Sequence, residues 1–73
     1  MFVEVIYYKP EINAYAGQRY TFHTDLPLVE YQKVIVPPED KKALVVGIVK
    51  DEESVLRQPW ANRIKSITQI DMN

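Results

Sequence analysis

Cysteine is absent from the chain, which excludes disulfide staples and thiolate metal sites together. At 73 residues the protein lies near the lower limit at which one core holds a fold, so apolar side chains must do that alone. Glycine is scarce, with only Gly17 and Gly47, and two isolated glycines cannot build a phosphate-cradling loop or a nucleophile elbow. A single histidine, His23, leaves no His pair at metal-ligand spacing. Long hydrophobic runs are missing as well. The longest, Ala43 to Val49, is far too short to cross a bilayer. The start "MFVEVIYYKPE" has neither a basic n-region nor a cleavage site, so the expected location is cytoplasmic, with no membrane association. Nor is there an excess of either charge: nine Lys/Arg stand against ten Asp/Glu, for a net −1. A chain so balanced has no global attraction for phosphate, and any nucleic-acid role needs local clustering of its cations.

What is present is a composition of 47% hydrophobic, 11% aromatic and 26% charged residues, that of a soluble globular protein. Residues 1–73 read as one domain. "FVEVIYY" (2–8) is β-branched and aromatic, and Val3, Val5 and Tyr7 share one face of a strand. Glu4 marks the wetter face, and Pro10 ends the run. "EINAYAG" reads as a loop closing on Gly17. "QRYTFHT" (18–24) alternates again, with Tyr20 and Phe22 inward and Arg19, Thr21 and His23 outward. "DLPLVEY" is a connection whose Leu26 and Leu28 can tuck under the sheet. "QKVIVP" (32–37) turns Val34 and Val36 in, Lys33 and Ile35 out.

Pro37 to Lys42 joins two apolar strands by a few residues, as a hairpin loop does. "ALVVGIVKD" (43–51) is apolar on both faces, and Gly47 in its middle predicts a bulge or bend. Asp51 is placed to cap a single helical turn that Pro59 stops. The segment "NRIKSITQID" (62–71) repeats isoleucine every third residue, which fits an amphipathic helix. Its β-branched content favours a strand with one corrective bulge. The expected fold is all-β: a small five-stranded barrel, SH3-like or OB-like, with at most one short helical turn.

The order of "YTFHTDLP", "KVIVP", "VGIVK" and "IKSITQID", over residues 18 to 71, resembles the N-terminal domain of the primosomal replication-restart helicase. The resemblance implies a small β-barrel that recognises the 3′ end of a DNA strand, here as a free-standing phage or mobile-element relative. The family's aromatic–acid pair falls on Tyr20 and Thr21, so a threonine replaces the base-contacting acid. Glu39 stands at a family glycine, and a second glycine position falls near Tyr31. Lys65 matches the lysine of the last strand. The comparison carries the fold further than the ligand.

Other constellations are weaker. His23, Ser54 and Asp25 nominally compose a triad, but no spacing supports one, and His23 reads as an outward strand residue. The acids of "DEES" lack the alternating ligands and central glycine of a calcium loop, so they read as a solvated turn. Lys41 and Lys42 adjoin Glu39 and Asp40, whose charges offset theirs, so this turn is a bend first and a phosphate contact only if other cations converge on it. Arg19, Lys33 and Lys65, with His23, form a basic patch if the strands carrying Arg19 and Lys33 are adjacent. Tyr8, Tyr15 or Tyr31 could then serve as stacking platforms for unpaired bases. The candidate nucleic-acid-binding residues are Arg19, Tyr20, Lys33 and Lys65. Phe2, Ile6, Ile35 and Val45 or Val49 fall on outward faces, a surplus that points to a protein partner or a homodimer. Two functions follow: a non-catalytic module for single-stranded or 3′-ended DNA, or a protein-interaction module. No residue set divides acid, base and nucleophile roles, so neither an enzyme nor a cofactor is expected.

Overall fold

The computed structural model describes residues 1–72. The run expected to be the first strand is β1 (Phe2–Lys9). Pro10 ends it and opens a 3-10 turn, Pro10–Ile12. Asn13 closes that turn at a left-handed φ of 49°, its N–H on the Pro10 carbonyl, a conformation asparagine tolerates well. The chain thus reverses early, and β2 begins at Ala14 and runs to Thr24. The loop expected to close on Gly17 is therefore mostly strand, with Ala16, Tyr15 and Ala14 opposite Tyr7, Tyr8 and Lys9. Gly17 has a different task. Tyr7 pairs with Ala16 but Val5 pairs with Tyr20, so residues 17–19 bow out of the ladder. Gly17 allows this with a φ of 102°, which side-chain-bearing residues rarely adopt.

β3 (Lys33–Val36) and β4 (Lys41–Ile48) form an antiparallel hairpin around Pro37–Asp40. The loop is shorter than the expected turn of 37–42, because Lys41 and Lys42 already pair with Val36 and Ile35. β4 also pairs with β1, and the register slips beside Gly47: Glu4 faces Gly47 while Val5 faces Val45. This is the bulge predicted there. Val45 lies wholly inward, contrary to its expected outward place, because it alternates with buried Ala43 and stands opposite Val5. Asp51 caps α1 (Glu52–Leu56), its side chain accepting from the Ser54 N–H, so the expected helical turn forms.

The segment 62–71 departs most from expectation. After a 3-10 turn, Ala61–Arg63, it makes two short strands, β5 (Ser66–Ile67) and β6 (Gln69–Ile70). β5 runs parallel to β2, with Ser66 opposite His23, and β6 runs antiparallel to β3, with Ile70 opposite Val34. The sheet order is β5-β2-β1-β4-β3-β6. The all-β class stands, but the five-stranded barrel does not: the six strands form a mixed, open sheet. The reason is local. Around Thr68 the chain passes from one sheet edge to the other, and β5 and β6 bond to β2 and β3 instead of to each other. One continuous last strand was needed to close the ring.

Val3, Val5, Phe22, Val34, Val36, Ala43, Val45 and Ile67 fill the inner face, joined by Leu28 from the connection after β2, with Leu26 packed alongside. The alternation read from β1 and β3 holds. Thr24 is fully buried, and its hydroxyl is satisfied twice, donating to the Ile67 carbonyl at 2.9 Å and accepting from the Leu26 N–H at 3.0 Å. The surplus hydrophobics are largely covered: Phe2 is buried, and Ile6, Ile35 and Val49 are half-buried. α1 contributes on the outer face, where buried Val55 lines a shallow hollow with Glu4, Thr21, Val49 and Trp60. Among the described residues no helix is long and apolar enough to cross a membrane.

Candidate functional site

The site grows from the way residues 60–65 approach β2. Parallel pairing of β5 fixes the far end, where the His23 N–H donates to the Lys65 carbonyl at 3.0 Å. Before that bond β2 has no strand on its outer side among the described residues. An open groove of about 550 Å3 results, between Gln18–Phe22 of β2, residues 60–65 and the Pro37–Pro38 tip of the β3–β4 hairpin.

The lining divides by chemistry. Arg19, Arg63 and Lys65 bring positive charge, Tyr7, Tyr20, Trp60 and the buried Phe22 bring aromatic rings, and no carboxylate among the described residues lines the groove. Tyr20 and Trp60 are each 41% exposed, so their ring bodies are held while part of each remains open to a ligand. Tyr20 was expected inward, and it stands opposite the buried Val5, but its ring is left partly uncovered there. Its ring leans on Tyr7, with centroids 5.0 Å apart and planes tilted by 50°. Burial, and then the neighbouring Tyr20, push the Tyr7 phenol above its usual pKa. Tyr7 therefore stays neutral at physiological pH and adds no negative charge. Arg19 lies 3.4 Å from Glu4, but both groups are well solvated, and an exposed pair of this kind yields to a competing anion at small cost.

Of the residues singled out from the sequence, Arg19, Tyr20 and Lys65 come together in this groove. Lys33 does not: β1 and β4 lie between β2 and β3, so the strands of Arg19 and Lys33 are not adjacent. The basic patch built on that adjacency is replaced by one that draws its cations from residues 60–65. Tyr8 and Tyr15 pack edge-to-face on each other at 5.3 Å, and the Tyr8 hydroxyl donates to Asn13 Oδ1. Tyr31 is exposed on a separate loop, at a left-handed φ of 69°. None of these three lines the groove.

His23 has Ser66 as its serine neighbour, not Ser54. The Nδ1 to Ser66 Oγ distance is 3.3 Å and the Nε2 to Asp25 distance 3.8 Å, while the Ser54 hydroxyl donates to the Asp51 carbonyl. Asp25 is 97% exposed, so water screens its charge and its orientation is free; a serine nucleophile needs a buried, fixed carboxylate behind its base. The "DEES" acids serve the helix start: Asp51 caps α1, and Glu53 pairs with Arg57 at 3.1 Å. Among the described residues no three His, Cys, Asp or Glu side chains converge on a point where a cation could sit.

Neither Trp60 nor Arg63 was among the candidate binding residues, although Trp60 belongs with the isoleucines to the helix-like spacing of the last segment. A signal for them was present: "WANRIK" interleaves one aromatic and two cations within six residues, a pattern suited to stacking on bases while meeting phosphates. The isoleucines of the same segment carry a stronger, purely structural periodicity that overlies it. No protein-family model matches the chain, and no curated protein or solved structure matches it either. What fold and groove define is a class: a small all-β chain with an aromatic, cationic groove beside one edge strand.

Proposed function

We propose that this chain is a non-catalytic module that binds single-stranded DNA in the groove between β2 and residues 60–65. One observation carries the reading. The groove brings three cations and four aromatic rings together and has no acid in its wall among the described residues, although acids outnumber bases in the chain as a whole. Cations meet the backbone phosphates, and Tyr20 and Trp60 offer faces to unpaired bases. A preference for 3′-ended strands belongs to the same reading and rests on the resemblance to the replication-restart domain, whose last-strand lysine is matched by Lys65 in the groove, while Thr21, also in the groove, stands where that family has its base-contacting acid. Kinship with SH3-like and OB-like modules is part of it too, supported by the passage of residues 66–70 between the two sheet edges. The reading puts the module in the cytoplasm, which its lack of cysteine fits.

Fluorescence anisotropy with a labelled oligothymidylate tests it. Affinity should fall linearly with salt on logarithmic axes, and Trp60→Ala should weaken binding by about tenfold, the value of one stacked base. No binding by the unaltered protein even at low salt would sink the proposal.

A second reading has its own observation. The outer edge of β2, from Ala14 to Phe22, has no strand partner among the described residues, and such an edge invites strand addition. A homodimer or a protein partner paired there is the alternative. Sedimentation over a range of concentrations distinguishes it: a dimer mass supports self-association, a monomer throughout removes it.

A further inference from the structure

A second hollow of about 420 Å3 adjoins the groove, lined by Tyr7, Tyr8, Pro10, Glu11 and the lysines 9, 41 and 42. Its three lysines come from two places in the sequence, the end of β1 and the start of β4, and Glu11 is the sole acid in its wall among the described residues. The acids expected to offset Lys41 and Lys42, Glu39 and Asp40, line neither hollow. They belong to the hairpin loop, whereas both lysines belong to β4.

Two contacts join the hollows. Tyr7 lines both, with Tyr20 of the groove on one side at 5.0 Å and Lys41 Nζ on the other, 5.6 Å from the Tyr7 ring centre. On the opposite flank the Lys9 side chain crosses the bulge, with Cε 3.4 Å from where a Cβ on Gly17 would stand. Gln18 and Arg19, the next residues, already line the groove. A chain of rings and cations therefore runs from residues 60–65 over Tyr7 to the start of β4.

We infer that the DNA track does not end in the groove but continues across Tyr7 into the lysine hollow, where Lys9, Lys41 and Lys42 hold the phosphates of further nucleotides. This inference rests on the proposed binding of single-stranded DNA and extends it. The groove holds bases by stacking. The hollow, where three lysines stand against one acid among the described residues, holds the backbone. Length and salt dependence follow from that division. A strand confined to the groove uses only the near cations, and a longer one releases additional counterions from the lysines.

Anisotropy titrations with oligothymidylates of about four and about twelve nucleotides test the inference. The longer probe should bind the unaltered protein more tightly and with a steeper salt slope. The double variant K41S/K42S should lose about tenfold in affinity for the longer probe, and its salt slope should fall by roughly 1.4, about 0.7 for each lost phosphate contact. Binding of the shorter probe should change by clearly less, since the cations of the groove that hold it, Arg19, Arg63 and Lys65, are untouched. Lys9→Ser, with its charge on the other flank, should repeat the pattern at half the slope change. Unchanged circular dichroism would establish that the variants fold.

Equal losses for both probe lengths would overturn the inference, since the lysines would then act as a diffuse field. So would unchanged binding of the longer probe. In either case the groove reading survives, because its test is Trp60→Ala. If the unaltered protein binds neither probe at low salt, both fall.

Discussion

β4 and residues 60–71 are both rich in β-branched and apolar side chains, yet the fold uses them oppositely. β4 is flanked on both sides, by β1 and β3, and its Ala43 and Val45 are completely buried. Residues 60–71 touch the sheet at its two edges for two residues at a time. There Ile67 is 1% exposed, while Ile70 and Trp60 stand open at 37% and 41%. A strand with two partners has its register fixed twice, so its side chains are committed to the core. A segment bonded briefly at edges leaves most of its side chains at the surface, where a ligand can use them.

The sharpest way to break this comparison is to treat the two isoleucines of the last segment alike. Ile67→Ala should destabilise the protein by about 2–5 kcal/mol, the range for truncating a buried isoleucine, enough to unfold much of so small a domain. Ile70→Ala should cost less than about 0.5 kcal/mol, as surface substitutions do. Urea unfolding midpoints measure both, and similar shifts for the pair would contradict the division drawn here.

Thr24→Val asks how firmly the segment is tied down. The valine keeps the shape but strands the Ile67 carbonyl and the Leu26 N–H, at a cost of about 1–3 kcal/mol. Loss of that tie should also raise amide exchange around residues 65–67 before the rest of the sheet responds. Uniform exchange across β1 and β4 would count against a local role.

Gly17→Ala probes the other wall of the groove. At a φ of 102° an alanine is strained whatever the space, with a penalty of about 1–2 kcal/mol. Its Cβ would also come within 3.4 Å of Lys9 Cε, which is ordinary contact, so backbone strain and not crowding should dominate. A neutral substitution would mean that the bulge relaxes without the glycine.

The smallest effect is in alkali. Tyr7 is pushed up by burial and by Tyr20, and Tyr15 by burial, Asp71 and Tyr8. A phenol whose pKa is raised on folding binds its proton more tightly in the folded state. Its contribution is therefore intact below the unfolded value near 10.0 and is lost as pH climbs past that towards the folded value. Thermal melts should show a decline beginning near that pH. It should be shallower in Tyr7→Phe, and an equally steep decline in that variant would assign the effect elsewhere.

Much of the sheet was legible in the sequence because alternation is a local signal. Val3 with Val5, Val34 with Val36, the bulge at Gly47 and the Asp51 cap each depend on residues within one turn or one strand. The site was half legible. Arg19, Tyr20 and Lys65 could be named, but grouping them with Lys33 required knowing which strands are neighbours, and that is a long-range matter. β2 lies beside β1 and β5, not β3, so Arg63 and Trp60 take the place given to Lys33.

By itself the sequence determined an all-β chain with a valine-lined interior, without disulfides, whose turns fall at Pro10, at Pro37–Pro38 and before α1. Those features follow from side-chain period and from backbones that cannot pair. Only the tertiary structure decided that the chain changes edge around Thr68, that the sheet stays open and that cations distant in sequence line one groove. Strand order is chosen by the burial of the whole inner face at once, and no short window of residues contains that information.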